Sequence, residues 1–371
     1  MLDVDYIFKL LNLSQKEEYL LKLYVSKTVT KDEICRLLND FDYNIEKEEL
    51  PFNLLLAHLF QNNPHIEMPK DIEPRLKGVL RWFQYRNISL LSVLKQLIAE
   101  LNKKDIPVLL MKGSAMKVLE PDKSRMMADV DCAVSIENFD TAIKISEQTG
   151  FKISGIYKHD IEVRKNNIQK IDIHKKIVKS DTDTRITDKK IFERAKQYNF
   201  YDSKVFIPDA EDMIFLLLAN GYENIIYSQS FYKNVTWLLD TVYILKNNTN
   251  IDWNLVVANA DETGTLAQIK IMLEMINRFF PDTVPNNIIS SITISKQENK
   301  FFQSYTKKHL FFNKAQQLKE QVRRMVKGNE KFDFFLTTKL TLQFFYLKII
   351  QKTPIIKSLF FDRAANRMFK I

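Results

Sequence analysis

The segment Met127-Ala128-Asp129-Val130-Asp131-Cys132-Ala133-Val134, whose first aspartate follows a Gly113-Ser114 step by fifteen positions, constrains this chain more than any other. In a β-strand alternate side chains share a face, so Asp129 and Asp131 point one way while Val130, Cys132 and Val134 point into a core. Gln169-Lys170-Ile171-Asp172-Ile173-His174 repeats the alternation, with Ile171 and Ile173 on the buried side and Asp172 on the polar side. If the two strands are neighbours, three carboxylates converge. Three oxygen donors with no histidine or cysteine cluster suit Mg²⁺ or Mn²⁺, the ions that handle nucleoside triphosphates.

Val108 to Met111 reads as a short buried strand, Lys112-Gly113-Ser114 as a turn, and Ala115 to Glu120 as a short helix stopped by Pro121. Ser114 is thereby placed near a helix N-terminus, where free N–H groups and the helix dipole attract phosphate, and Gly113 allows a phosphate close to the backbone. Lys112 beside the turn is positioned to neutralise phosphate charge. Arg125, four residues before Asp129, offers a planar fork for either a carboxylate or a phosphate.

The order Gly-Ser, Asp-x-Asp and a distant third Asp resembles the nucleotidyltransferase superfamily that includes DNA polymerase beta, kanamycin nucleotidyltransferase and CCA-adding enzymes. More closely, Leu110-Met111-Lys112-Gly113, Arg125 to Asp131, Gly150-Phe151, His159 and Ile171 to His174 resemble a largely uncharacterised bacterial branch with Lys-Gly, Arg-x-x-x-Asp-x-Asp and Asp-x-His signatures. The resemblance is most specific over about residues 85–260 and extends to Ile207-Pro208-Asp209-Ala210-Glu211-Asp212, Leu238-Leu239-Asp240 and Asp252-Trp253. It implies a magnesium-dependent transferase in which Asp129, Asp131 and Asp172 are catalytic and hold Mg²⁺ or Mn²⁺, while Lys112, Gly113, Ser114, Arg125 and His174 contact a nucleoside triphosphate co-substrate such as ATP. Asp172 lies nearest the acceptor in similar proteins and is the base or a second metal ligand. His159 is a further candidate contact. One departure stands out, because similar sequences often end the apolar run after Asp212 with a histidine, and this chain reads Leu218-Ala219-Asn220-Gly221 there.

The 371 residues, of which 45% are hydrophobic and only seven are glycine and ten proline, imply several packed units without long disordered linkers. The expected class is α+β: a small mixed-sheet nucleotidyltransferase core over 104–208, flanked by an N-terminal helical region (1–103) and a C-terminal helical region (209–371). Ser14 to Glu17 reads as a capping box. Pro51, Pro64, Pro69 and Pro74 separate short helices, and a longer amphipathic helix runs from Arg81 to Lys103 with Leu90, Leu91, Val93, Leu94, Leu97, Ile98 and Leu101 facing the sheet. Asn166-Asn167 reads as a tight turn. After Pro208 breaks are expected at Gly264 and at Pro281 to Pro285.

Two distant cysteines, Cys35 and Cys132, make no disulfide framework and fit a reducing cytoplasm, and the start of the chain lacks signal-peptide character. No apolar run reaches the roughly 18 residues of a membrane span. The net charge of +9 gathers partly toward the C-terminus, at Lys307-Lys308, Arg323-Arg324 and beyond, where paired phenylalanines interleave. That pattern admits nucleic acid or an anionic membrane surface, but the phenylalanines at helical spacing fit a core better, with an amphipathic helix over 337–352 as the alternative. The partners expected are therefore a triphosphate and a small-molecule, sugar-like or protein acceptor. A non-catalytic nucleotide sensor and an RNA-directed transferase remain as alternatives.

Overall fold

The apolar periodicity of the first hundred residues produces five helices in a computed structural model of the chain: α1 (Val4–Leu11), α2 (Gln15–Val25), α3 (Lys31–Asn39), α4 (Leu50–Asn62) and α5 (Glu73–Asn102). The structure describes residues 4–310 apart from 27, 121–124, 126, 166–168, 179–183, 229–230, 297, 301 and 308–309. Residues 1–303 form one compact unit and residues 304–371 a second. The Asn166-Asn167 turn, Arg323-Arg324, the phenylalanine pairs from Phe311 onward and the 337–352 helix lie outside the described residues.

Ser14 closes the expected capping box: its hydroxyl accepts the Glu17 N–H at 3.3 Å while Glu17 Oε2 accepts the Ser14 N–H at 2.7 Å. Thr30 and Glu33 repeat the device at the start of α3. The long helix departs from its expected start, because Pro74 sits in its first turn, where a missing N–H costs nothing, so the helix extends back to Glu73. Its face bearing Leu90, Leu94, Leu97, Ile98 and Leu101 is buried, and α5 packs on the sheet as that spacing requires.

Seven strands build one mixed sheet: β1 (Leu109–Leu110), β2 (Val130–Ala133), β3 (Lys152–Ile156), β4 (Asp160–Lys165), β5 (Gln169–His174), β6 (Lys196–Phe200) and β7 (Ser203–Ile207). Their order is β3-β4-β5-β2-β1-β7-β6, which puts β2 and β5 side by side at the centre. They run parallel, with Val130 opposite Ile171, Asp131 opposite Asp172, Cys132 opposite Ile173 and Ala133 opposite His174. The expectation of an α+β fold with a small mixed sheet between helices holds. The β6–β7 hairpin was not foreseen, since Lys196-Gln197-Tyr198-Asn199 lacks the apolar alternation of a half-buried strand.

Between the strands lie α6 (Lys112–Leu119), α7 (Phe139–Gln148) and α8 (Arg185–Arg194). After the sheet come α9 (Ala210–Tyr227), α10 (Phe231–Asn247), α11 (Trp253–Glu262), α12 (Leu266–Phe279) and α13 (Asn286–Ser291). The breaks fall at the expected places: Gly264, at φ 66°, separates α11 from α12, and the Pro281–Pro285 segment separates α12 from α13. Gly221 of α9 is a close-approach glycine, because a Cβ there would lie 2.4 Å from the Trp237 ring of α10. Among the described residues no helix is long and apolar enough to cross a membrane.

Candidate active site

Parallel pairing of β2 with β5 and antiparallel pairing of β5 with β4 set Asp131, Asp172 and Glu162 in one lateral row across three strands. Asp129 precedes this row at the entrance to β2, one residue before the strand begins. The helix α5 holds both strand entrances. Arg86 Nη2 donates to the Ala128 carbonyl at 3.3 Å, the Asn87 amide donates to the Arg125 carbonyl, and Ser89 Oγ accepts from Gln169 Nε2 at 2.6 Å.

Asp131 is the most heavily engaged of the acids. Lys112 Nζ lies 2.8 Å and His174 Nε2 2.9 Å from the same oxygen, Oδ1. Burial raises the carboxyl's pKa, but Lys112 and then His174 outweigh it and hold it well below the ordinary carboxylate range. His174 is itself buried, with its Nδ1 3.6 Å from Asp160 Oδ2 on the neighbouring strand.

Asp172 behaves oppositely. Burial, together with the neighbouring charges of Asp131 and Asp129, pushes it up to about 7 against the opposing pull of Lys170. One of its oxygens, Oδ1, is buried without a hydrogen-bond partner. Its other oxygen accepts from Lys170 Nζ at 2.9 Å, and that ammonium also lies 3.2 Å from Asp129 Oδ2 and 3.3 Å from Glu162 Oε2. Glu162 further accepts from Ser154 Oγ at 2.6 Å and Arg164 Nε at 2.7 Å; burial alone would raise it, yet these partners bring it down to about 2.

The Lys112-Gly113-Ser114 segment differs from the expected turn. It forms the first turn of α6, and Lys112 takes the bend with a left-handed φ of 49°. A non-glycine residue in that region costs on the order of 1–3 kcal/mol and persists where surrounding contacts fix it, as the Asp131 pairing does here. The Ser114 hydroxyl is buried within reach of two carbonyls, Met111 at 2.7 Å and Asp131 at 2.6 Å, and so ties the helix start to β2. Gly113 faces the Arg125 guanidinium: a Cβ at Gly113 would lie 2.2 Å from Arg125 Nη1. Arg125 makes the carboxylate choice of its two readings, forking onto Asp240 of α10 through Nε at 2.9 Å and through Nη2.

Ala219 and Asn220, at the end of the apolar run after Asp212, line a cavity of about 20 Å³ together with Lys112, Met111 and Glu223. That is room for about one water molecule. His159 lies in the β3–β4 connection, where its carbonyl accepts the Lys175 N–H at 3.0 Å.

Among the described residues no group of three or more histidine, cysteine or acidic side chains is arranged as a ready metal cage. The donor chemistry nonetheless fits a hard divalent cation: carboxylate oxygens alone, one of them buried and unpartnered, with an ammonium already drawn between Asp129 and Asp172. Sequence reasoning passed over Glu162 and Lys170. The available signal was the polar face of Asp160-Ile161-Glu162-Val163-Arg164, which becomes part of the row only through the β4–β5 register.

An α+β fold whose mixed sheet carries an acidic row at its centre is the frame of a nucleotidyltransferase. The chain belongs to one such family, since the model described as "Uncharacterised nucleotidyltransferase" matches residues 35–281, well over half of the chain. Two solved structures are similar at low identity. One is an antigenic nucleotidyltransferase-like protein from Paracoccidioides brasiliensis, at 15% identity over 56% of this chain and 95% of that one, with a TM-score of 0.36. The other is ANT(2")-Ia in complex with adenylyl-2"-tobramycin, at 11% identity over 52% of this chain and 99% of that one, with a TM-score of 0.29. Comparison with curated proteins gave no match.

Proposed function

We propose that this nucleotidyltransferase moves a nucleoside monophosphate from a triphosphate to a hydroxyl of a small-molecule, sugar-like or protein acceptor, with Asp129, Asp131 and Asp172 as its acidic centre. The observation that carries the reading is the central register, which sets Asp131 against Asp172 and leaves one buried Asp172 oxygen without a partner. Structural carboxylates are normally satisfied. Asp129, Asp131 and Asp172 would hold an Mg²⁺ or Mn²⁺ ion, which would supply charge neutralisation at the triphosphate when bound.

The chain's own residues account for the rest. Lys112 and His174 keep Asp131 ionised and fix its direction. Asp172, set opposite Asp131 with one oxygen free of hydrogen bonds, is placed to take the proton of the acceptor hydroxyl. The hydroxyl oxygen then bonds to the α-phosphorus as the bond to the β-phosphate bridging oxygen breaks, and pyrophosphate leaves with that electron pair. Arg125, locked onto Asp240 and lying over Gly113, positions the start of α6 rather than standing free for phosphate.

The test is calorimetry of each of the four triphosphates with Mg²⁺, followed by pyrophosphate release with panels of hydroxyl-bearing acceptors. Asp129→Asn and Asp131→Asn are expected to remove metal-supported binding while the circular dichroism spectrum stays unchanged. Undiminished affinity in both variants refutes the assignment.

A further inference from the structure

Lys170 stands two residues before Asp172 on β5, so both side chains project from the same face of the strand. Its ammonium lies against Asp172 Oδ2, Asp129 Oδ2 and Glu162 Oε2 at 2.9, 3.2 and 3.3 Å. Two of these three oxygens belong to the acids assigned above to the metal. A divalent cation on the same carboxylates would stand only a few ångströms from the ammonium, where like charges repel strongly.

We propose that Lys170 is an intramolecular counter-cation that competes with the divalent metal for Asp129 and Asp172, so that metal uptake is an exchange of ammonium for metal. The inference rests on the functional reading above and adds to it a residue that sets metal affinity. Glu162 makes the exchange feasible. It lies opposite Asp172 on β4, is already anchored by Ser154 and Arg164, and keeps a contact to Lys170 when the ammonium leaves the other two carboxylates. The lysine stem is flexible and its side chain 25% exposed, so the shift needs no backbone movement.

The experiment titrates Mn²⁺ alone into the full-length protein and reads free Mn²⁺ by electron paramagnetic resonance, which requires neither nucleotide nor acceptor. Lys170→Met keeps the aliphatic stem and is expected to bind Mn²⁺ roughly tenfold more tightly, the change that about 1.4 kcal/mol of relieved competition produces. Lys170→Gln gives the same direction should the methionine variant fold poorly. Lys170→Arg retains the charge and stays within about threefold of the wild type. Lys165→Met, which removes an equal charge from a lysine bonded instead to Gln96 and the Thr149 carbonyl, changes affinity less than about twofold.

In a double-mutant cycle, Glu162→Gln weakens Mn²⁺ binding in the wild type and does so less in the Lys170→Met background, because only a mobile lysine needs the second berth. If the wild type binds Mn²⁺ and Lys170→Met binds it no more tightly than Lys165→Met, the competition is refuted and the metal site stands. If neither wild type nor Lys170→Met binds Mn²⁺, the metal assignment falls and the competition with it.

Discussion

Asp212 and Asp172 are both carboxylates drawn into the protein beside a cationic side chain, and they are built in opposite ways. Asp212, fully buried on α9, accepts from Arg194 Nε at 2.9 Å, Arg194 Nη2 at 2.7 Å and Asn259 Nδ2 at 2.7 Å. Both of its oxygens are occupied by rigid donors from α8 and α11. Asp172 has one oxygen on a flexible lysine and the other on nothing, with further carboxylates beside it. The first arrangement clamps α8 and α11 to α9. The second carries an electrostatic cost that structure alone does not require, and that cost is what the cation-holding role proposed above would explain.

The largest effect that would sharpen this contrast is on turnover. Asp172→Asn is expected to lower nucleotidyl transfer by roughly three orders of magnitude, the loss expected when a group handling charge at the reacting centre is removed. Its denaturant midpoint should stay the same or rise, since a neutral amide relieves the crowding of like charges. A midpoint well below the wild type would place Asp172 with the structural acids.

Asp212→Ala gives the reverse pattern. It leaves Arg194 without its buried partner and is expected to cost about 3 kcal/mol in urea unfolding. Metal-supported triphosphate affinity, measured where the variant is folded, should be unchanged. Loss of affinity out of proportion to unfolding would join the two regions into one.

Gly221→Ala is expected to cost about 2 kcal/mol, because the added methyl meets the Trp237 ring and the Met272 methyl in a packed interface of α9 with α10 and α12. Thermal unfolding checks it. A neutral result would mean that α10 can slide away from α9, and with it Asp240 and the fork on Arg125.

Asp188 on α8 supplies the finest discrimination, because it is well hydrogen-bonded and still perturbed. It accepts the Val178 N–H at 3.1 Å and the Thr184 hydroxyl at 3.0 Å, yet burial outweighs both and lifts its carboxyl to about 6. A carboxyl whose folded pKa is raised binds its proton more tightly when folded. Its stability contribution is therefore complete below the unfolded value near 4 and is lost as pH rises through about 6. Allowing for partial solvent screening, we expect about 1–2 kcal/mol of wild-type stability to be lost across that interval. Asp188→Asn should remove this dependence, and pH-stability curves that stay parallel would show that its hydrogen bonds fully compensate burial.

What the sequence revealed follows the same division. Alternation in Asp129 to Val134 and Gln169 to His174 announces two half-buried strands, and those strands do pair at the centre of the sheet. The Ser14 capping box and the Gly264 break are short-range signals that later packing leaves intact. Lys170 and Glu162 were hidden because each looks like an ordinary solvated residue until strand pairing brings them within about 3 Å of one another. The same holds for Arg125 and Asp240, which are 115 positions apart. The start of α6 was misjudged because Lys112 adopts a backbone conformation that glycine usually supplies, and its pairing with Asp131 cannot be seen in the local sequence.

The pairing of Asp131 with Asp172 makes the distance across the acidic row a property of the hydrogen-bonded ladder, about 4.8 Å per strand, rather than of the chain that joins the strands. Lengthening the connections between β2 and β5 leaves that measure untouched. Adding a single residue inside either strand does the opposite. It turns every later side chain to the other face, sending the carboxylates toward the core and isoleucine or cysteine toward the face they left. The acidic row is therefore sensitive to the parity of the strands and indifferent to the length of what lies between them.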